Sequence, residues 1–114
     1  AFDRLKASFD SADPMARLEA KNHFYDVLID GSGNAALGQS LRLLNARIML
    51  LRATSLQAPG RSRETLRELA ELMEALASRD GERARLAAVR HVESAAKAAL
   101  AFLQDAPETP PGQP

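Results

Sequence analysis

The side chains able to do chemistry in this 114-residue chain are few: two histidines, His23 and His91, one tyrosine, Tyr25, and fifteen acids balanced by fifteen lysines and arginines. The histidines are far apart, no serine or threonine stands in a nucleophile-elbow context, and Gly31, Ser32 and Gly33 lack the spacing that cradles a phosphate. Cysteine is absent, which removes disulfides, thiolate metal sites and cysteine nucleophiles together. Glu68, Glu71 and Glu74 are expected on solvated helix faces, where nothing marks a catalytic pair. Enzymatic chemistry is therefore not expected. What remains is binding. The stretch from Phe24 and Tyr25 through Leu28 to Ser32, Gly33 and Asn34 begins with residues that can point into a pocket, and His91 lies near the other end of the chain.

Helices must position these residues, because the dominant apolar period is 3.6 and no alternating run reads as a strand. Phe2, Leu5 and Phe9 already sit at helical spacing, which predicts an element entered partway, with a first helix expected upstream. Asp13 and Pro14 supply an N-cap and a proline at the first helical position. Met15, Leu18, Phe24, Tyr25 and Leu28 then recur on one face until Gly31 and Gly33 end the helix. Asn34 is suited to cap the next one, where Leu37, Leu41, Leu44, Ile48 and Leu51 form a stripe. Leu43 and Leu50 add a second apolar flank, so this helix is predicted to be central, covered on more than one side and continuous until Pro59 and Gly60.

Ser62 is the expected cap of the following helix, with Leu66, Leu69, Met73 and Leu76 inward and Glu64 favourably placed for the helix dipole. Asp80 and Gly81 predict a tight break before a last helix over about 82–103, burying Val89, Val92, Ala96, Ala99 and Leu103. Short connections between long helices imply antiparallel neighbours. The fold class read from the sequence is all-α, an antiparallel helical bundle occupying residues 1–104. Pro107, Pro110, Pro111 and Pro114 predict a disordered tail over 105–114.

Balanced charge offers no overall basic field for nucleic acid or an anionic membrane. No apolar run approaches the roughly 20 residues needed to span a bilayer, and no signal-peptide pattern opens the chain. A soluble, cytoplasmic domain is the expectation.

The order Phe24, Tyr25, Leu28, Ser32, Gly33, Asn34, then an apolar helix bearing Arg47, then Arg79 and Asp80 and the run from Ala88 to Glu93, resembles the effector-binding domain of GntR-type bacterial transcription regulators, specifically the FCD subclass. The likeness runs over about residues 18–103. It implies a homodimer acting on a near-palindromic operator through an N-terminal winged-helix domain, which this chain does not contain. It also implies a small organic acid as effector, beside a divalent metal held in many members by one acid and three histidines.

Aligning on Phe24 places Lys21 at the acid's position, Tyr25 at the first histidine's, Leu69 at the second and His91 at the third. Lysine offers no lone pair while charged and leucine cannot ligate, so no bound metal is expected. His23, two residues before Tyr25, points to another side of the helix. The expected effector-binding set is Lys21, Tyr25, Arg47, Leu69 and His91, with the Lys21 ammonium replacing the metal's charge and Tyr25 and His91 donating hydrogen bonds to an anionic ligand. Plainer roles stand beside these: a snorkelling surface lysine, a core-edge tyrosine, a satisfied histidine. The alternative function is a helical dimerisation or interaction module with no small-molecule ligand.

Overall fold

A computed structural model describes residues 1–11 and 13–105. Among them are six helices and no strand: α1 (Phe2–Phe9), α2 (Pro14–Gly31), α3 (Ala35–Leu43), α4 (Asn45–Gln57), α5 (Arg61–Ala77) and α6 (Gly81–Asp105). The all-α bundle is as read from the sequence. The predicted proline-rich tail lies outside the described residues, apart from the backbone of Asp105 that ends α6.

Local chemistry explains most boundaries. The Asp13 carboxylate accepts from the Met15 amide at 3.0 Å with Pro14 behind it, which starts α2. Arg17 donates from Nε to the Ser11 carbonyl at 3.0 Å, tying the turn after α1 to the first turn of α2. At the other end Gly33 adopts φ +68°, a left-handed conformation that stops the helix, and the Asn34 side chain accepts from the Leu37 amide at 2.9 Å to start α3.

Four expectations are corrected. The helix predicted as continuous from Asn34 breaks at Leu44, where the amide bonds to the Leu41 carbonyl at 3.1 Å in a tightened turn, so α3 and α4 separate. Far from being central, this pair leaves Leu43 and Leu50 at 88% and 70% exposure. Ser62 does not cap α5. Gly60, at φ +73°, precedes Arg61, and the helix has already begun when Ser62 is reached. The break predicted at Asp80 and Gly81 is present: Arg79 is its left-handed residue, φ 57°, Gly81 opens α6 and Asp80 caps it by accepting from the Arg83 amide at 3.0 Å.

The fourth correction concerns which face of α6 is inside. Ala84, Ala87, His91 and Ala99 are buried, whereas Val89, Val92 and Leu103 lie on the exposed side with Leu86 and Leu100. Small residues let α5 and α4 approach α6 closely, and that stripe won over the bulkier one. Leu76 and Met15 are likewise exposed, their expected places in the core being taken by Leu72, Ala75 and Ala20. The core runs from Leu5 and Phe9 on α1 through Ala20 and Phe24 on α2 to Leu69, Leu72 and Ala75 on α5 and Ala84 and Ala87 on α6. The Cα radius of gyration, 15.5 Å, exceeds the about 13 Å of a compact chain of this length, in keeping with the apolar faces left open on α3, α4 and α6. No described helix is long and apolar enough to cross a membrane.

Candidate functional site

One turn of α2 separates Lys21 from Tyr25, so both project from one face, beside Phe24 in the core. Lys21 is 1% exposed, which rules out the surface-lysine role. Its Nζ lies 5.9 Å from the Tyr25 ring centroid and enters no ion pair or side-chain hydrogen bond among the described residues. Burial, reinforced by the charges of Arg61 and Arg52 and only partly offset by Glu68, pushes the ammonium down to about 7.

From α5, Arg61 grips Glu68 with two hydrogen bonds, Nη1 to Oε2 at 2.8 Å and Nη2 to Oε1 at 2.7 Å. The seven-residue spacing puts both on one helix face, with Thr65 between them. From α6, His91 reaches Glu68 through Nδ1 at 2.8 Å and Tyr25 Oη through Nε2. An ionised carboxylate only accepts, so the Nδ1 proton is fixed: Nδ1–H donates to Glu68, leaving Nε2 to accept the Tyr25 hydroxyl. The Arg61 Nη2 to His91 Nδ1 approach of 3.5 Å is then two donors side by side, not a bond.

This arrangement explains the electrostatics. Burial opposes the Glu68 charge, but the hydrogen bonds from Arg61 and His91 outweigh it and hold the carboxyl below its ordinary value. Burial lowers His91 despite its bond to Glu68, so the ring stays neutral at pH 7. Tyr25 is pushed well above the usual phenol range, again by burial. From α4, Arg52 stacks its guanidinium 4.1 Å from the Tyr25 ring centroid and donates to Asn22 Oδ1 at 2.9 Å, while Asn22 donates to Met49 Sδ at 3.0 Å.

The structure thus gathers Lys21, Tyr25 and His91 in one buried polar cluster, whereas Leu69 is fully buried in the apolar core. Arg47 is exposed and takes no part in the cluster's hydrogen bonds. The arginine of α4 that reaches inward is Arg52. Glu68, expected in solvent, is instead the cluster's central acceptor, while Glu71 and Glu74 are exposed as expected. Arg61 and Glu68 were legible in principle: their two-turn spacing puts them on the stripe of Leu69 and Leu72. Arg52 carried no such signal among three arginines at five-residue steps.

An open groove of about 960 Å³ lies between α2, α3 and α4, with Ile29, Leu41, Ile48 and Met49 among its walls and Asp26, Asn45 and Arg52 as polar members. Arg52 belongs to both groove and cluster.

The profile described as FCD domain matches residues 1–94. The chain belongs to the FCD domain family. Its all-helical bundle is the fold of that family, and FCD domains are effector-binding modules of GntR-type transcription regulators, not enzymes. Comparison with curated proteins and with solved structures gave no match. In this FCD domain Lys21, Tyr25 and His91 share a cluster in which the cations Lys21, Arg52 and Arg61 outnumber the one acid, Glu68. Among the described residues no group of three or more His, Cys, Asp or Glu side chains is placed to hold a metal ion.

Proposed function

We propose that this FCD domain senses a small anionic metabolite at the Lys21 cluster without a metal. The observation that carries the reading is a fully buried ammonium with no acceptor, flanked by two arginines. Such a group is costly to bury and becomes favourable when an anion joins it. The donor set does not fit a divalent cation: Lys21 has no lone pair while charged, Leu69 has no donor atom, and both nitrogens of His91 are engaged. Tyr25 and His91 act differently from the sequence expectation. Their protons are spent on His91 and Glu68, so they hold the cluster in shape, and Lys21, Arg52 and Arg61 are the groups that face a ligand.

Ligand binding shifts the packing of α4 against α2 and α6, and a DNA-binding domain outside this chain reads the change as altered operator affinity. That requires the ligand to prefer one arrangement over the other. The exposed apolar stripe of Leu86, Val89, Val92, Leu100 and Leu103 on α6 supports a homodimer, since a patch of this kind is normally covered. A cytoplasmic location accords with a regulator of transcription.

The test is a thermal-shift screen of carboxylates, sugar acids and acyl compounds on the domain as purified without chelator, with metal content measured on the same sample. An anion that raises Tm in the wild type and not in Lys21→Met, with no stoichiometric metal, supports the reading. Stoichiometric metal, or an equal response in the variant, refutes it.

A further inference from the structure

The unpartnered groups of the cluster say more than that an anion binds. Three buried polar atoms lack a partner among the described residues: Arg61 Nε, Thr65 Oγ1 and Ser55 Oγ. Arg61 and Thr65 are one turn apart on α5, and Thr65 precedes Glu68 by three residues, so the hydroxyl lies between two side chains that both reach toward His91. Ser55 stands one turn beyond Arg52 on α4 and is fully buried. Native interiors rarely leave such atoms unpaired, and one Nε–H and two hydroxyls present a surplus of donors.

The charges agree. Lys21, Arg52 and Arg61 bring three positive charges, and Glu68 is the acid whose charge reaches Lys21. Asp26 moderates Arg52 but is itself exposed at the groove. With Lys21 protonated and Glu68 bound to Arg61, the positive charges of Lys21 and of the half-buried Arg52 remain, the latter offset only from the exposed Asp26, and a monoanion would balance one of them.

We propose that the site takes a compact dianion, with one anionic group on Lys21 and Arg52 and the second on the Arg61 Nε–H and the Thr65 hydroxyl. It rests on the anion-sensing reading above and adds the class of ligand and the residue that selects it. Dicarboxylates and inorganic phosphate share this chemistry, and they differ in span. The ligand passes in from the groove by displacing the Arg52 guanidinium from Tyr25.

The experiment is titration calorimetry of the whole 114-residue chain with the sodium salts of succinate, malonate, phosphate and butyrate at matched ionic strength, for the wild type, Thr65→Val and Lys21→Met. Butyrate matches succinate in chain length and carries one charge. We expect the preferred dianion to bind the wild type at least about tenfold more tightly than butyrate, because a buried donor pair left unfilled penalises the smaller charge. Succinate or malonate ahead of phosphate identifies a dicarboxylate site, and the reverse a phosphate site.

Thr65→Val is expected to bring the preferred dianion down toward butyrate while raising the Tm of the free domain, since valine removes an orphaned hydroxyl. A merely structural threonine would not change the succinate to butyrate ratio. If butyrate binds as well as every dianion and is lost in Lys21→Met, the dianion proposal falls and the Lys21 reading stands. A preference that survives Thr65→Val also overturns it, and binding of no anion overturns both.

Discussion

Glu68 Oε1 and His91 Nδ1 meet at 2.8 Å across the α5–α6 interface, and this contact decides which proton the histidine carries. With Nδ1–H spent on the carboxylate, Nε2 becomes an acceptor and takes the Tyr25 hydroxyl, so one ion pair on α5 orders side chains on α6 and α2. Replacing Glu68 should therefore disturb more than a single bond. Glu68→Ala leaves the buried Arg61 guanidinium without its counter-ion and should cost about 3 kcal/mol in denaturant unfolding. Nitrogen-detected NMR of His91 should show the fixed Nδ1–H tautomer in the wild type and its loss in the variant; an unchanged tautomer would show that Glu68 does not set it.

Lys21 gives the opposite sign. Removing an unpaired buried charge while keeping apolar volume, as in Lys21→Met, should stabilise the ligand-free domain at pH 6 by about 1 kcal/mol or more. A clear loss of stability in urea titrations would mean that the ammonium has a structural partner.

The pH dependence follows from the same residue. Lys21 is lowered from its ordinary 10.5 to about 7 in the folded chain. Between those values the unfolded chain binds a proton that the folded chain does not, so stability rises with pH from about 7 toward 10. Below 7 both states are protonated and the full cost of the buried charge is present. His91, lowered by burial, adds a further loss as pH falls below its ordinary 6.5. Of the groups facing Lys21, Glu68 is held below its ordinary carboxylate value and Tyr25 is raised above its ordinary phenol value, so both lie outside that window. The Tm of the free domain should climb between pH 7 and 9, and the climb should shrink in Lys21→Met; parallel profiles for the two would assign it elsewhere.

Two helix stops make a matched pair. A Cβ at Gly33 meets nothing within 4 Å, so the cost of Gly33→Ala is the left-handed backbone alone, about 1 kcal/mol. Arg79 already carries that strain at φ 57°, and Arg79→Gly should recover part of it, up to about 1 kcal/mol. Thermal unfolding should move Tm in opposite directions for the two variants.

The open stripe on α6 predicts association. Sedimentation equilibrium of the wild type should give a dimer, and Val92→Glu with Leu100→Glu, both at exposed positions, should give a folded monomer by circular dichroism. A wild-type monomer at all concentrations would remove the homodimer from the proposal.

Much of the local structure was legible in the residues themselves. Asp13 with Pro14, Gly33 with Asn34, and the break before α6 are decided by caps and backbone preferences that act within one turn, and these are where the sequence and the fold agree. Lys21, Tyr25 and His91 were singled out through a resemblance, and the structure brings the three side chains together. The failures share a cause. Val89, Val92, Leu43 and Leu50 have the right period for a buried face, but period alone does not say which of two apolar stripes a neighbour covers.

The sequence by itself determined the helical class, the caps of α2, α3 and α6 and the family, because hydrophobic period and capping are short-range. Only the tertiary structure decided the chemistry of the site. Four helices had to meet before Arg52 and Arg61 could depress Lys21, before Glu68 could choose the His91 tautomer, and before Arg47 could be seen to lie outside. Burial and through-space charge set those properties, and neither is written in the spacing of residues along one strand of sequence.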